Sequence, residues 1–210
     1  MEERPAVTLS LGGPAVEITP FLLADGSGPA RQQTSASLQA SEEALSIRFC
    51  CLDADPWGTF VKRDEPVYQE ECVEVFLAPG EDDPRNYYEF ELSPLGAFFD
   101  AAICNPEGRR ETMGADVEWN ARGARWQAAI DKENGLWTAE MILPWSDFGF
   151  AHALAIPEAW RLNLYRIDRP RDGSPAEYSC WSPTLQTPAN FHVPARFGTL
   201  RLEHPAHADA

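Results

Sequence analysis

Residues 72–104 read CVEVFLAPGEDDPRNYYEFELSPLGAFFDAAIC, and this stretch decides the fold class. Successive side chains of a strand point to opposite faces. In 72–78 that alternation gives Val73, Val75 and Leu77 to one face and Cys72, Glu74 and Phe76 to the other. The segments 86–92 and 97–104 read as two more strands, and Ser93-Pro94-Leu95-Gly96 between them reads as a hairpin turn. Glu74 is the conspicuous residue. A carboxylate between Cys72 and Phe76 on a half-apolar face costs several kcal/mol unless it is paired or faces a wet groove.

Period-2 runs continue outward in both directions, and no window carries a persuasive helical stripe. Further strands are expected at 6–11, 15–21, 31–38, 44–53, 124–131, 136–143, 160–167, 177–181 and 197–202. In 124–143, ARWQAAIDKENGLWTAEMIL, Asn134-Gly135 lies between two alternating runs and predicts a second hairpin, because both residues tolerate positive φ. Pro144-Trp145-Ser146-Asp147-Phe148 ends its strand and predicts one helical turn with Ser146 as cap. Ten to twelve or so short strands on one core predict an all-β fold, an antiparallel two-sheet β-sandwich of jelly-roll-like form. The chain from 1 to 210 reads as a single domain, with Trp126, Trp137, Trp145 and Trp160 mostly buried and the tail from about 204 disordered.

With 33 Asp and Glu against 17 Lys and Arg, the formal charge is −16. Such a surface repels phosphate backbones and anionic headgroups, so neither nucleic acid nor membrane is expected as a partner, and the protein reads as a monomer. No run approaches the roughly 18 apolar residues of a membrane helix. The start, Met1-Glu2-Glu3-Arg4-Pro5, has no signal-peptide pattern, which predicts a cytoplasmic protein if that N-terminus is native and an exported one if a leader was removed. Cys50, Cys51, Cys72, Cys104 and Cys180 form no CxxC pair and read mostly as buried free thiols.

Three ordered stretches carry a resemblance. VYQEECVEVFLAP (67–79) with NYYEFELSPLG (86–96), then GLWTAEMILPWSDFG (135–149), then WRLNLYRIDRP, YSCWSPT and FHVPARFGTLRL (within 160–202) resemble carbohydrate-binding modules of family 9 and their DOMON-like relatives. The resemblance implies a β-sandwich that binds mono-, oligo- or polysaccharides without cleaving them, with a sugar ring held between two aromatic side chains. Matched to it, Trp181 is one aromatic wall and Tyr68 the other, where sugar-binding members carry Trp; Trp57 is a substitute wall. Glu74 is implied either as an acceptor for sugar hydroxyls or as one half of a buried ion pair, with Arg166 and Asn163 as its partners. Where some members place a basic or polar residue on the next strand, this chain has Glu89 and Glu91. His192 matches the closing motif and is expected to be structural. No cofactor is required. The family can carry structural calcium, for which Asp53, Asp55 and Glu81-Asp82-Asp83 are the candidates. Two alternatives stand beside this reading. DOMON-like relatives include b-type cytochromes, for which Met113 rather than Met1 or Met141 is the free ligand. A glycoside hydrolase would pair Glu74 with Glu89 or Glu91 as acid and base.

Overall fold

A computed structural model describes residues 4–204. The stretch at 72–104 forms three neighbouring strands in the middle of a large sheet. That sheet runs in the order β1 (Ala6–Ser10), β14 (Gly198–Glu203), β12 (Ala159–Asp168), β6 (Cys72–Pro79), β7 (Asn86–Leu92), β8 (Phe98–Cys104) and β9 (Gly114–Asp116). β13 (Glu177–Cys180) also pairs with β12, and β3 (Leu22–Leu23) with β13. The second sheet runs β10 (Arg125–Asp131), β11 (Leu136–Pro144), β5 (Ala44–Leu52), β4 (Thr34–Ala40) and β2 (Val16–Ile18).

Every expected strand has its counterpart. β3 and β9 are additional, and both are too short to leave a periodic signal. The pairing is antiparallel except for β1 with β14, which run parallel. The hairpin at Asn134-Gly135 forms, but Asp131 pairs with Leu136, so four residues make the turn rather than two. Asn134 closes it by donating its backbone N–H and Nδ2 to the Asp131 carboxylate. Trp145–Phe148 is the expected turn, of 3-10 type; Pro144 occupies the cap position and no side chain caps it, so Ser146 does not have the role predicted for it. Residues 205–210, most of the expected disordered tail, lie outside the described residues, as does Met1.

The alternation explains the layers. Val73, Val75, Leu77, Leu162 and Leu164 from the large sheet meet Leu38, Ile47, Phe49, Trp137 and Met141 from the small one, all fully buried. Each such side chain contributes about 1.5–3 kcal/mol. Trp137, Trp145 and Trp160 are buried as expected. Trp126 is only half-buried, because β10 is the edge of its sheet, where the indole stacks on Phe98 at 4.2 Å. The outer face of the large sheet is not left to water. Cys72, Phe76, Tyr87, Phe99 and Tyr165 form a second apolar cluster under Val67, Phe191 and Phe197 from the loops. β6 and β12 are thus covered on both faces, and the polar groups on that outer face are sealed beneath the loops.

Candidate functional site

Under the loops on the outer face lies a cavity of about 570 Å³. Its floor is β6 and β7. Register places Glu74 directly opposite Glu91, while Glu89 lies two residues from Glu91 on the same face. All three carboxyls are buried, and one oxygen from each falls within 4.8 Å of the others. Like charges directly opposite across two strands repel, and burial adds a desolvation cost. Burial first, and then Glu89, push the Glu74 carboxyl well above its ordinary range. Burial, then Glu74 and Glu89, do the same to Glu91. Burial pushes Glu89 up to about 7, against a hydrogen bond with Glu91 and then the charge of Arg110. The three groups therefore keep their protons to higher pH than ordinary glutamates, and Glu89 loses its own near neutrality. The Cys72 thiol lies 3.6 Å from Glu74, and Glu91 Oε2 has no hydrogen-bond partner among the described residues.

The walls are aromatic. On one side Tyr68, in the 3-10 turn Val67–Gln69, meets Phe99 edge-on at 6.1 Å and keeps 40% of its surface exposed. On the other, Phe191 stacks on Tyr165 at 4.2 Å and meets Tyr178 edge-on at 5.8 Å. His192 closes one corner, its Nδ1 2.9 Å from the Tyr87 hydroxyl and its Nε2 3.8 Å from Glu89. Burial, and then Arg110, hold the imidazole down to about 4, so it is neutral. Its ring is thus bonded to β7, three strands along the sheet from β14, and it also lines the cavity. Met113 and Arg110 stand at the mouth, where the Tyr87 hydroxyl donates to Met113 Sδ at 3.7 Å. Met141 is buried between the sheets.

Of the six residues expected to bind ligand, only Tyr68 and Glu74 line this cavity. Trp181 lies just past β13. Its N–H donates to Leu164 O, and its ring packs against the core between the sheets, so close to Gly198 that a Cβ there would sit 2.5 Å from the indole. The register that sends Trp181 inward sends Tyr178, opposite Ile167, outward into the cavity wall. Arg166 does not pair with Glu74. Tyr165 is the residue opposite Glu74, so Arg166 points to the other face, bonded to Asp53 at 2.9 Å and 3.7 Å from Asp168. Asn163 shares the outer face but is saturated by Ser182, receiving its N–H at 2.9 Å and donating to its carbonyl at 2.8 Å. Trp57 lies at the sandwich end, its backbone N–H on Glu71 and its Nε1 on Arg169 O.

The carboxylates named for calcium do not gather into one cage. Asp53 meets Glu71 and Asp168, but Arg166 already supplies the positive charge in that group. Asp55 pairs with Arg171, and at the opposite end of β12 Glu81 pairs with Arg201 and Asp83 with Arg4. Phe99 was missed because counting across a 93–96 turn sets Phe98 opposite Glu91, whereas Leu92 pairs with Phe98, so the turn takes five residues and Phe99 stands opposite Glu91. Phe191 and Arg110 come from irregular loops with no periodic signal.

Residues 29–202 match the family described as carbohydrate-binding family 9. The chain superimposes on a solved protein of Bacteroides uniformis proposed to bind carbohydrate, with a TM-score of 0.73 at 17% identity, covering 96% of this chain and 100% of that one. It also superimposes on a family 9 module from Caldicellulosiruptor kristjanssonii in complex with cellotriose, with a TM-score of 0.62 at 10% identity over 98% of this chain and 97% of that one. The same organism's family 9 module has also been solved with glucose; there the TM-score is 0.61 at 11% identity, over 96% of this chain and 97% of that one. An extracellular protein of Arthroderma benhamiae is 26% identical over 179 residues, 79% of this chain and 76% of that protein.

Proposed function

The chain belongs to carbohydrate-binding family 9, and from that premise we propose that the cavity above Glu74, Glu89 and Glu91 holds a saccharide and does not cleave it. The observation that carries this is the pairing of aromatic walls with a polar floor in one cavity of the outer face. A pyranose presents C–H groups on its faces and hydroxyls around its rim. Tyr68, Phe99, Tyr178 and Phe191 offer flat apolar surface to the first. The carboxyls offer acceptors and, where protonated, donors to the second. Modules of this family are generally non-catalytic binding domains, and structural neighbours were solved with glucose and with cellotriose. Tyr68, half in water, is the wall free to close on a ring.

A calorimetric screen of mono- and oligosaccharides, run with a reducing-sugar assay on polysaccharides, tests this. Saturable binding without release of reducing ends is the expected result. Turnover that disappears in Glu74→Gln would overturn it in favour of a hydrolase, and a failure of the whole screen to show binding would remove the saccharide altogether.

A further inference from the structure

The floor of the cavity carries more acid than a neutral sugar requires. Elsewhere among the described residues most deeply buried acids meet a guanidinium, while Glu70 and Glu71 instead accept N–H and O–H groups, Glu70 from Thr59 and Glu71 from Trp57. Asp53 and Asp168 have Arg166, Asp100 has Arg63 at 2.8 Å, and Glu177 has Arg31 at 2.8 Å. Glu74, Glu89 and Glu91 have none. Around the cavity, Arg110 is exposed at the mouth and acts on Glu74 and Glu89 only through its charge, Arg169 donates to the Tyr178 hydroxyl at 3.2 Å, and the neutral His192 is bonded to Tyr87 with its Nε2 3.8 Å from Glu89. Among the described residues, no arginine or lysine makes an ion pair with any of the three. Glu91 sharpens the contrast: it is 1% exposed, lines the cavity, and leaves Oε2 without a partner among the described residues.

Resting on the saccharide reading above, we infer that this cavity selects an amino sugar, with the protonated amine of the ring seated among Glu74, Glu89 and Glu91. An ammonium has three N–H donors at tetrahedral angles. Charge-assisted bonds of about 2.8 Å then set the three acceptors about 4.6 Å apart. The three carboxyl oxygens lie within 4.8 Å of one another, so they can all face one such group. One cation can therefore face all three acids, among them Glu91, one of whose oxygens has no partner among the described residues. The aromatic rings around the floor favour the same ligand, because a cation is attracted to ring faces. The chain's formal charge of −16 draws cationic sugars toward the mouth. A volume of about 570 Å³ is within the usual range for small-ligand cavities.

The test compares three trisaccharides by calorimetry on the full chain with EDTA present. These are the β-1,4 trimer of glucosamine, its fully N-acetylated form, and cellotriose, which differ in bearing amine, acetamide or hydroxyl. The amine trimer is expected to bind at least tenfold more tightly than either neutral one. In Glu91→Gln that advantage should shrink at least tenfold, with cellotriose affinity changing less than threefold. Melting temperatures verify folding, and Glu89→Gln serves as a second variant. Cellotriose binding as tightly as the amine trimer would overturn the amino-sugar inference and leave the saccharide reading standing. Absence of binding by all three would overturn the inference, and the wider saccharide screen then judges the reading beneath it. A preference that appears only when calcium replaces EDTA would assign the three acids to a metal ion, which also overturns the inference.

Discussion

Two groups of three buried acids lie among the described residues, and they differ in whether a guanidinium reaches them. Asp53, Glu71 and Asp168 close one end of the core between the sheets, where Arg166 bonds Asp53 and approaches Asp168. The same guanidinium donates to Leu52 O at 2.9 Å. Glu71, pushed up to about 8 by burial and then by Asp53, accepts the Trp57 N–H and makes no ion pair among the described residues. Glu74, Glu89 and Glu91 sit on the outer face with no guanidinium and a cavity above them. In the first group a guanidinium reaches two acids and a backbone N–H the third. In the second no guanidinium makes an ion pair among the described residues, and the proposed ligand would take that place.

The largest effect should come from the first group. Arg166→Leu leaves Asp53 and Asp168 buried beside no cation and should cost about 3–5 kcal/mol in denaturant unfolding, with the saccharide site intact in whatever remains folded. A cost under about 1 kcal/mol would erase the contrast between the groups. Glu91→Gln should act in the other direction. It fixes the neutral form of one carboxyl in the crowded trio, so the folded chain should gain roughly 1–2 kcal/mol at neutral pH. A lowered melting temperature would show that Glu91 is a structural acid like Asp53.

The smallest effect is on pH. The folded chain holds protons on Glu89 up to about 7 and on Glu71 up to about 8, with Glu74 and Glu91 raised as well, whereas ordinary glutamates release theirs near 4.5. More protons are bound folded than unfolded, so stability falls as pH rises. His192, held down to about 4 from 6.5, opposes this below 6.5 and is silent above it. Between pH 6.5 and 8 the melting temperature should therefore decline, less steeply in Glu91→Gln. A rise over that interval would contradict the proton-holding trio.

Strand alternation made most of the fold legible, including the shared face of Glu89 and Glu91 in YYEFEL and their convergence with Glu74 once β6 and β7 pair. What it did not reveal was facing across β12. Counting places Arg166 with Leu162 and Leu164, and therefore away from Glu74, yet which face carried the ligand depended on the loops that cover the outer side. Trp181 shows the same limit, because one position past a strand end decided between cavity and core. Phe191, His192 and Arg110 reach the cavity through chain that follows neither period, so their placement rests on tertiary packing.

The central claim, that ligand binds around Tyr68 on the outer face while Trp181 serves the core, is tested most directly by titrating a sugar found in the screen into Tyr68→Ala and Trp181→Ala. Removing an aromatic anchor costs about 1–3 kcal/mol of binding. The expected result is an affinity loss of roughly tenfold or more in Tyr68→Ala with little change in melting temperature, and near wild-type affinity with clearly reduced stability in Trp181→Ala. Wild-type affinity in Tyr68→Ala together with lost binding in a fully stable Trp181→Ala would contradict it.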